Sequence, residues 1–370
     1  MKIAITGTHF TPAQAVIEEL MKYSNMEIFY LGRNTTREGD KSASVESNVL
    51  PKLGIKFFPI ISGRLQRVLT LYTIPSLLKI PIGFIQSFFL LLTYKPDVVL
   101  SFGGYISVPV VFSAWLLSIP IITHEQTIVR GLSYKITSLF ANKMAVSFKT
   151  GLVGERTIVT GNPMRAGILK STLPSYKIKR LFQKARQQKK PVIFITGGNQ
   201  GSHIINQTVL EALPALTLKA VIVLQTGDSK FHDFEDAKSK QCEELLTEKW
   251  IETQDFGYIL KHAHLVVGRS GINTLLECAM FGTPALLIPY PYLQGDEQMV
   301  NARFFESLGL AKILPQKDLN SETLISSISS MLENIEKLKK QAVAAKSIVT
   351  PDAAKRLAQE TLLLATKADE

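Results

Sequence analysis

The sequence contains few cysteines, no long apolar run and fewer acidic than basic residues. Its 370 residues include two cysteines, Cys242 and Cys278, far apart in the chain, so we expect a reducing compartment and no disulfide framework or cysteine zinc site. No apolar run reaches the roughly 20 residues that cross a bilayer. The first residues, MKIAITG, predict a strand and not a signal peptide.

The basic residues are concentrated in two segments. Residues 52–149 contain ten Lys or Arg and two acidic residues, and residues 170–190 contain eight and none, within a net charge of +11. This uneven distribution of positive charge favours binding to an anionic surface or an anionic substrate. Nucleic acid is not expected, because neither segment has a helix-turn-helix, zinc or RNP pattern. A hydrophobic fraction of 46% also predicts some apolar surface outside the core.

Short apolar strands alternate with helical segments up to about residue 316, which is typical of parallel α/β units. Two such series, joined near residues 161–163, predict an α/β fold of two Rossmann-like, doubly wound domains facing a central cleft, with ligands at the carboxyl ends of the strands. The predicted strands are 2–6, 27–31, 55–60, 97–102, 120–124, 143–148 and 157–160, then 192–196, 220–225, 251–256, 265–268, 285–289 and 311–314.

Residues 265–302 contain the clearest candidate site. A strand, the turn Ser270-Gly271 and a helix follow one another, and the unpaired N–H groups of such a helix start suit a diphosphate. Glu277 lies on this helix among apolar residues, so its carboxylate needs hydrogen-bond donors. Two vicinal ribose hydroxyls would supply them, although a nearby Arg or a backbone amide could also do so.

Four other turns follow predicted strands. Pro12 suits the first turn of a helix, which places His9 in the loop before it, where it could be structural or catalytic. Glycines form a turn at Gly103-Gly104, and the strand 120–124 ends before Glu125-Gln126-Thr127. The glycine-rich turn 197–202 would allow backbone amides to approach a phosphate, but such turns are common in α/β folds.

These motifs resemble the MurG family, the membrane-associated glycosyltransferases that add N-acetylglucosamine to lipid-linked N-acetylmuramyl-pentapeptide. The resemblance covers nearly the whole chain. In the segment 265–302, the residues that match the family are Arg269, Ser270, Gly271, Glu277, Gly282, Pro284, Gln298 and Asn301.

The resemblance implies a GT-B fold. Residues 1–163 would form an N-terminal domain that binds acceptor and membrane, and residues 164–350 a C-terminal domain that binds the UDP-sugar. A terminal helix, 351–367, would pack back on the first domain. The implied activity is inverting transfer from UDP-GlcNAc to the 4-hydroxyl of MurNAc in lipid I, which yields lipid II.

The resemblance also implies the site residues. His9 is the first choice for the catalytic base, and His124 and Glu125 are the alternative candidates. Because no Asp-x-Asp motif lies at a strand end, neither a metal nor a cofactor is expected. The implied substrate-binding residues are Thr6, Gly7, Thr8, Gly103, Gly104, Tyr105, Thr127, Arg165, Gly198, Asn199, Gln200, Ser270, Gly271, Asn273, Thr274, Glu277 and Gln298.

The sequence departs from the family pattern at several loop positions. Thr127 stands where the family has Asn, and Asn199 where it has Ser. In the first glycine turn, where His9, Gly7, Pro12 and Ala13 match, three residues occupy family glycine positions: Ala4, Ile5 and Thr8. These changes leave open a catalytically weak homologue that acts as a membrane scaffold. A glycosyltransferase acting on another membrane lipid, such as diacylglycerol, is the other alternative.

The segment 64–94 is expected to form two helices divided by Pro75 and Pro81. The first has Arg64, Arg67 and Lys79 beside apolar residues and could lie on a membrane, whereas residues 81–94 fit a core helix better. The family has an apolar patch ringed by basic residues here, and Trp115 falls at its patch tryptophan. The resemblance thus implies a peripheral protein on the cytoplasmic face of the cell membrane, with other cell-wall synthesis or division proteins as partners.

Overall fold

The computed structural model describes residues 1–35, 44–63, 73–149, 154–169, 173–198, 200–228, 231–240, 242–292 and 294–366. The chain forms two compact units. Unit 1 comprises Met1–Arg165 and Thr350–Glu370, and unit 2 comprises Ala166–Val349. Unit 1 is therefore discontinuous in sequence, because the end of the chain returns to it.

Unit 1 contains a parallel sheet whose seven strands are β1 (Lys2–Thr6), β2 (Glu27–Gly32), β3 (Lys56–Pro59), β4 (Val98–Ser101), β5 (Ile121–Glu125), β6 (Lys143–Val146) and β7 (Thr157–Val159). Their order across the sheet is β3-β2-β1-β4-β5-β6-β7. Chain order reverses between β1 and β4, so the loops after these strands diverge and leave room for a ligand at their carboxyl ends.

Unit 2 contains a parallel sheet whose six strands are β8 (Val192–Thr196), β9 (Val221–Gln225), β10 (Leu245–Glu248), β11 (Leu265–Gly268), β12 (Ala285–Leu287) and β13 (Ala311–Ile313). Their order is β10-β9-β8-β11-β12-β13. The reversal here lies between β8 and β11, so this sheet is wound in the same way as the first. Both sheets confirm the predicted α/β class.

The helices of the described residues are, in chain order, α1 (Phe10–Leu20), α2 (Val45–Val49), α3 (Thr73–Tyr94), α4 (Ser107–Leu116), α5 (Leu132–Phe140), α6 (Ala166–Leu169), α7 (Tyr176–Gln187), α8 (His203–Lys219), α9 (Asp233–Ser239), α10 (Thr253–His262), α11 (Ile272–Phe281), α12 (Glu297–Ser307), α13 (Ser321–Glu333), α14 (Ile335–Ala342) and α15 (Ala353–Thr366). None of them is both long and apolar enough to cross a membrane.

The core of unit 1 lies on both faces of its sheet. Side chains alternate along β1, so Ile3 and Ile5 face one side, where α1 and α15 supply Leu20 and Leu357. Ala4 faces the other side, which α3 and α4 cover. The terminal helix α15 is therefore part of the core of unit 1.

The strand predicted at residues 251–256 is wrong. The strand next to β9 is β10, and the chain enters helix α10 at Thr253. In α10 the buried apolar side chains are Phe256, Ile259 and Leu260, which have a helical spacing, whereas the segment predicted as a strand has apolar residues at its two ends only. The strand β10 is hard to recognise, because it is four residues long with alternating burial at the edge of the sheet.

The predicted division at Pro81 is also wrong, and the core assignment of residues 81–94 holds for one side of the helix only. Pro81 lies inside α3, and residues 64–72 lie outside the described residues. One side of α3 is buried, with Leu91 fully enclosed, but Ile85 and Phe89 are 59% and 60% exposed. Apolar residues all round this helix therefore form both a core face and an exposed face.

Candidate active site

Three loops meet at the carboxyl edge of the unit 1 sheet. They follow β1, β4 and β5 and contain residues 7–9, 102–105 and 126–127. The first two are joined, because the backbone N–H of Thr8 donates to the carbonyl oxygen of Gly103, 3.0 Å away. Most of the site residues predicted in the first domain therefore lie on neighbouring loops at the switch point of this sheet.

The threonine at position 8 is accommodated by Gly104. Gly103 and Gly104 have φ angles of +68° and +82°, in the left-handed region that favours glycine. A Cβ added to Gly104 would lie 2.0 Å from Thr8 Oγ1. Thr8 thus occupies the space beside Gly104, and the loop closes although a family glycine is replaced.

His9 is a half-buried imidazole immediately before α1. Its Nδ1 lies 2.8 Å from Nε2 of Gln126. Burial, followed by the positive charge of Arg33, lowers the pKa of His9 from 6.5 to about 4. The ring is therefore neutral at pH 7, the state in which a general base accepts a proton.

His124, one of the two reserve candidates for the base, is buried within unit 1. Its Nε2 lies 3.3 Å from the carbonyl oxygen of Gly161 and 3.3 Å from Ser147 Oγ. Burial lowers the pKa of His124 to about 4. Its Nδ1 has no hydrogen-bond partner among the described residues. These contacts favour a structural part for this histidine, behind the loop that follows β5.

Glu125, the other reserve candidate, braces its own loop. Oε1 accepts hydrogen bonds from the N–H and the hydroxyl of Thr127, at 3.1 and 2.9 Å. Oε2 accepts from the N–H of Gly131 at 3.2 Å. Burial raises the pKa of Glu125. Both carboxylate oxygens of Glu125 therefore accept hydrogen bonds inside the protein, and His9 stays the leading candidate for the base. The hydroxyl of Thr127, a predicted substrate-binding residue, also forms its hydrogen bonds within this loop.

Other residues predicted in the first domain differ in how accessible their side chains are. Thr6 is fully buried and its hydroxyl donates to the carbonyl oxygen of Leu31, so only its backbone could face a substrate. The carbonyl oxygen of Gly7 accepts from the Tyr30 hydroxyl at 2.9 Å. Tyr105 packs against the core, and Arg165 is half-buried at the end of the first segment of unit 1.

In unit 2, two helices begin after strands that are neighbours in the sheet. Helix α8 follows β8 and helix α11 follows β11, and their N-cap residues, Ser202 and Gly271, make no side-chain capping bond. Uncapped N–H groups at the carboxyl edge of a sheet favour an anion such as a diphosphate. The predicted Gly198 and Gln200 lie in the turn before α8, and Asn199 lies outside the described residues.

Arg269, which the sequence comparison matched but did not place in the site, joins these loops. Its guanidinium donates to Ser202 Oγ at 2.8 Å and to the carbonyl oxygen of Ile288 at 3.0 Å. It also lies 5.3 Å from the ring centre of Tyr290. Burial lowers the pKa of Arg269 to about 10, so the group stays charged at pH 7. Arg269 therefore supplies fixed positive charge beside the start of α8.

Ser270 and Gln298 are joined to each other. The fully buried Ser270 donates from its hydroxyl to the backbone oxygen of Gln298 at 2.7 Å. The Oε1 of Gln298 accepts from the N–H of Tyr290 at 2.9 Å. Ser270 would thus meet a phosphate through its backbone, because its hydroxyl is bonded inside the protein.

Glu277 lies on α11 and is 3% exposed. Burial raises the pKa of the neighbouring Cys278 thiol, and the charge of Glu277 raises this pKa further. Asn273 and Thr274, which are half-buried, occupy the first turn of the same helix. One helix therefore carries an open N-terminus and, one turn further, the acidic residue predicted to bind ribose. Its ribose role stays a prediction.

The described residues contain no group of three or more His, Cys, Asp or Glu that could hold a metal ion. Unit 1 holds a neutral histidine at the edge of its sheet, and unit 2, described by itself, holds two open helix N-termini. These are the groups that a transfer reaction with a diphosphate leaving group needs.

Two family models cover most of the chain. Residues 3–146 match the glycosyltransferase family 28 N-terminal domain, and residues 192–357 match the glycosyltransferase family 28 C-terminal domain. The chain belongs to glycosyltransferase family 28 and has the predicted GT-B fold of two parallel-sheet domains.

Comparison with individual proteins narrows this class. The UDP-N-acetylglucosamine--N-acetylmuramyl-(pentapeptide) pyrophosphoryl-undecaprenol N-acetylglucosamine transferase of Listeria monocytogenes serovar 1/2a is 32% identical over 379 residues, covering 98% of this chain and 99% of the relative. The enzyme of that name from Finegoldia magna is 32% identical, covering 96% and 95%. Within family 28, the chain is thus a member of the family of these transferases.

Solved structures agree. The crystal structure of Acinetobacter baumannii MurG superposes with a TM-score of 0.72 at 25% identity, covering 98% of this chain and 99% of that one. The UDP-GlcNAc 2-epimerase of Neisseria meningitidis superposes with a TM-score of 0.62 at 19% identity, covering 98% and 100%, and shares the fold alone. The resemblance to the MurG family is confirmed.

Proposed function

We propose that this protein transfers N-acetylglucosamine from UDP-N-acetylglucosamine to the 4-hydroxyl of N-acetylmuramic acid in undecaprenyl-pyrophosphoryl-MurNAc-pentapeptide, the step from lipid I to lipid II. The observation that carries the proposal is identity of 32% from end to end with transferases named for this reaction. The loops that hold the matching residues support it, because they lie at the carboxyl edges of both sheets.

The donor would bind to unit 2. The diphosphate would lie at the N-termini of α8 and α11, where N–H groups and the charge of Arg269 favour an anion. Glu277 would accept hydrogen bonds from the ribose hydroxyls, and Gln298 would bind the sugar. These contacts hold the nucleotide, so that the bond between C1 of the sugar and the diphosphate can break.

The acceptor would bind to unit 1, beside His9. Its 4-hydroxyl oxygen attacks C1 of N-acetylglucosamine, the C1–O bond to UDP breaks, and the configuration at C1 inverts. The electron pair of that bond leaves on the β-phosphate, where helix N-termini and Arg165 stabilise the developing charge. The proton of the hydroxyl passes to His9, which is neutral at pH 7.

An assay of UDP release tests the reaction. We expect the purified protein to release UDP from UDP-N-acetylglucosamine in the presence of lipid I and to release almost none without an acceptor. Diacylglycerol and undecaprenyl phosphate serve as acceptor controls that lack the muramyl sugar. Equal release with diacylglycerol would support a different lipid transferase, and no release with lipid I would support the scaffold alternative.

Unit 1 also has an exposed apolar surface, which we call the apolar stripe. It comprises Leu78, Ile82, Ile85, Phe89 and Leu92 on α3 and Trp115 and Leu116 on α4. Contiguous apolar surface of this kind marks an interaction site. The neighbouring Lys79 and Lys95 add positive charge, and together they fit the interface of an anionic membrane, in which the lipid-linked acceptor is held. We therefore propose peripheral binding at the cytoplasmic membrane face.

Substitution within the apolar stripe tests membrane binding. Full burial of a large apolar side chain contributes about 1.5–3 kcal/mol. The double variant Ile85→Glu, Phe89→Glu is therefore expected to bind vesicles of phosphatidylglycerol and phosphatidylcholine at least about tenfold more weakly. Sedimentation with vesicles measures this. Leu218→Glu, at a 77% exposed position of unit 2, is the matched control. Equal binding by the double variant and wild type would remove this surface from the proposal.

A further inference from the structure

Gln126 connects two of the loops at the edge of unit 1. It lies after β5 and is 6% exposed, and its Nε2 is 2.8 Å from Nδ1 of His9, which is 117 positions away in the sequence. Gln126 follows His124 and Glu125, which make the structural contacts described above. Gln126 is the residue of the three that contacts His9.

The contact determines which nitrogen of His9 carries the proton. An amide has a donating end and an accepting end, which exchange places when the group rotates about its last side-chain bond. When the Nε2 of Gln126 donates to Nδ1, the neutral ring of His9 carries its proton on its own Nε2 and has no lone pair there. When Oε1 faces Nδ1 instead, the ring is protonated at Nδ1 and its Nε2 can accept a proton.

The accepting end of Gln126 has no hydrogen-bond partner among the described residues, although it is buried. A buried acceptor without a donor costs about 1–3 kcal/mol. Rotation of the amide would give Oε1 a donor, the Nδ1–H of His9, and would place the amide NH2 group in the unpaired position, so for the neutral ring the two orientations each leave one end of the amide unpaired. In the rotated orientation, Oε1 remains a suitable partner after His9 gains a second proton, whereas in the other orientation an amide N–H would then face the Nδ1–H of the ring.

We propose that Gln126 is a positioning residue for His9: its amide oxygen accepts the Nδ1–H and thereby presents the lone pair of Nε2 to the acceptor hydroxyl. This inference rests on the proposed function, in which His9 takes the proton. The charge that acts on His9 from another element is Arg33, after β2, and it disfavours the imidazolium. His124, on β5, has a pKa lowered to about 4 and is neutral at pH 7, so it does not stabilise the imidazolium either. Gln126 thus supplies the accepting dipole at this ring.

Gln126→Glu and Gln126→Leu change this contact in opposite ways. A carboxylate accepts the Nδ1–H and stabilises the imidazolium, so Gln126→Glu is expected to raise the pKa on the acidic side of the kcat/KM profile by about 1–3 units. Leucine cannot orient the ring, so Gln126→Leu is expected to lower kcat by at least about tenfold with an unchanged KM for UDP-N-acetylglucosamine. Gln359→Glu, which adds the same charge at an exposed position of unit 1, is the control.

Nitrogen-15 spectra of the histidine rings give a second measurement that does not depend on turnover. The His9 signal is assigned by its loss in His9→Ala, and in wild type and in Gln126→Glu it is expected to show a protonated Nδ1. A wild-type His9 ring protonated at Nε2, an unchanged pH profile in Gln126→Glu, or full kcat in Gln126→Leu would overturn the inference. Wild-type protein that releases no UDP with lipid I would instead overturn the proposed function, and the ring signal would still report on Gln126.

Discussion

His9→Ala is expected to lower kcat for transfer to lipid I by about 10²–10⁴-fold, the usual contribution of a general base. Donor affinity should stay almost unchanged, because the donor contacts are proposed on unit 2. Single-turnover rates and equilibrium binding of UDP-N-acetylglucosamine measure the two quantities separately. Equal losses in rate and affinity would show that His9 binds the donor and would remove it as the base.

The pH profile gives an independent test of His9. Its pKa is lowered to about 4, so the neutral, proton-accepting form dominates above that pH and is lost as the pH falls through it. We expect wild-type kcat/KM to show no loss from this group between about pH 5 and 8. His232→Asn is the control variant, which removes a histidine elsewhere in the chain and should leave the pH profile unchanged. His232 is exposed, and its backbone is in the left-handed conformation, which asparagine tolerates.

The strands could be predicted because most of them are continuous apolar runs bounded by turns. A strand buried on both faces needs no alternation, so β1 and β8 were placed at their observed limits. The prediction was wrong at β10, where a short edge strand precedes the amphipathic helix α10. For α3 it held for one side of the helix only, because composition alone does not show which side of an apolar helix lacks a neighbour.

The site was predictable where a motif is local. Ser270-Gly271 and Glu277 lie on one turn and helix, so their spacing was enough to place them together. Gln126 was not singled out, because its contact with His9 joins loops that are far apart in sequence. The bracing role of Glu125 had a local signal, since its partners Thr127 and Gly131 lie two and six positions later, but the acidic side chain suggested proton transfer first.

Glu277→Gln is expected to weaken the binding of UDP and UDP-N-acetylglucosamine by about 10–150-fold. The buried carboxylate can accept hydrogen bonds from both ribose hydroxyls, and a hydrogen bond to a charged group is worth about 1.5–3 kcal/mol. An amide of the same shape has a single accepting atom and presents N–H to the other hydroxyl.

A comparison of two nucleotides separates ribose contact from a general disturbance of unit 2. Wild type should bind UDP more tightly than 2′-deoxy-UDP, and this difference should largely vanish in Glu277→Gln, because the contact that reads the hydroxyl is gone. Glu211→Gln removes the same charge from an exposed position on α8 and should keep the difference. If Glu277→Gln still distinguishes the two nucleotides as well as wild type does, the carboxylate does not contact the ribose, and the proposed role of Glu277 is wrong.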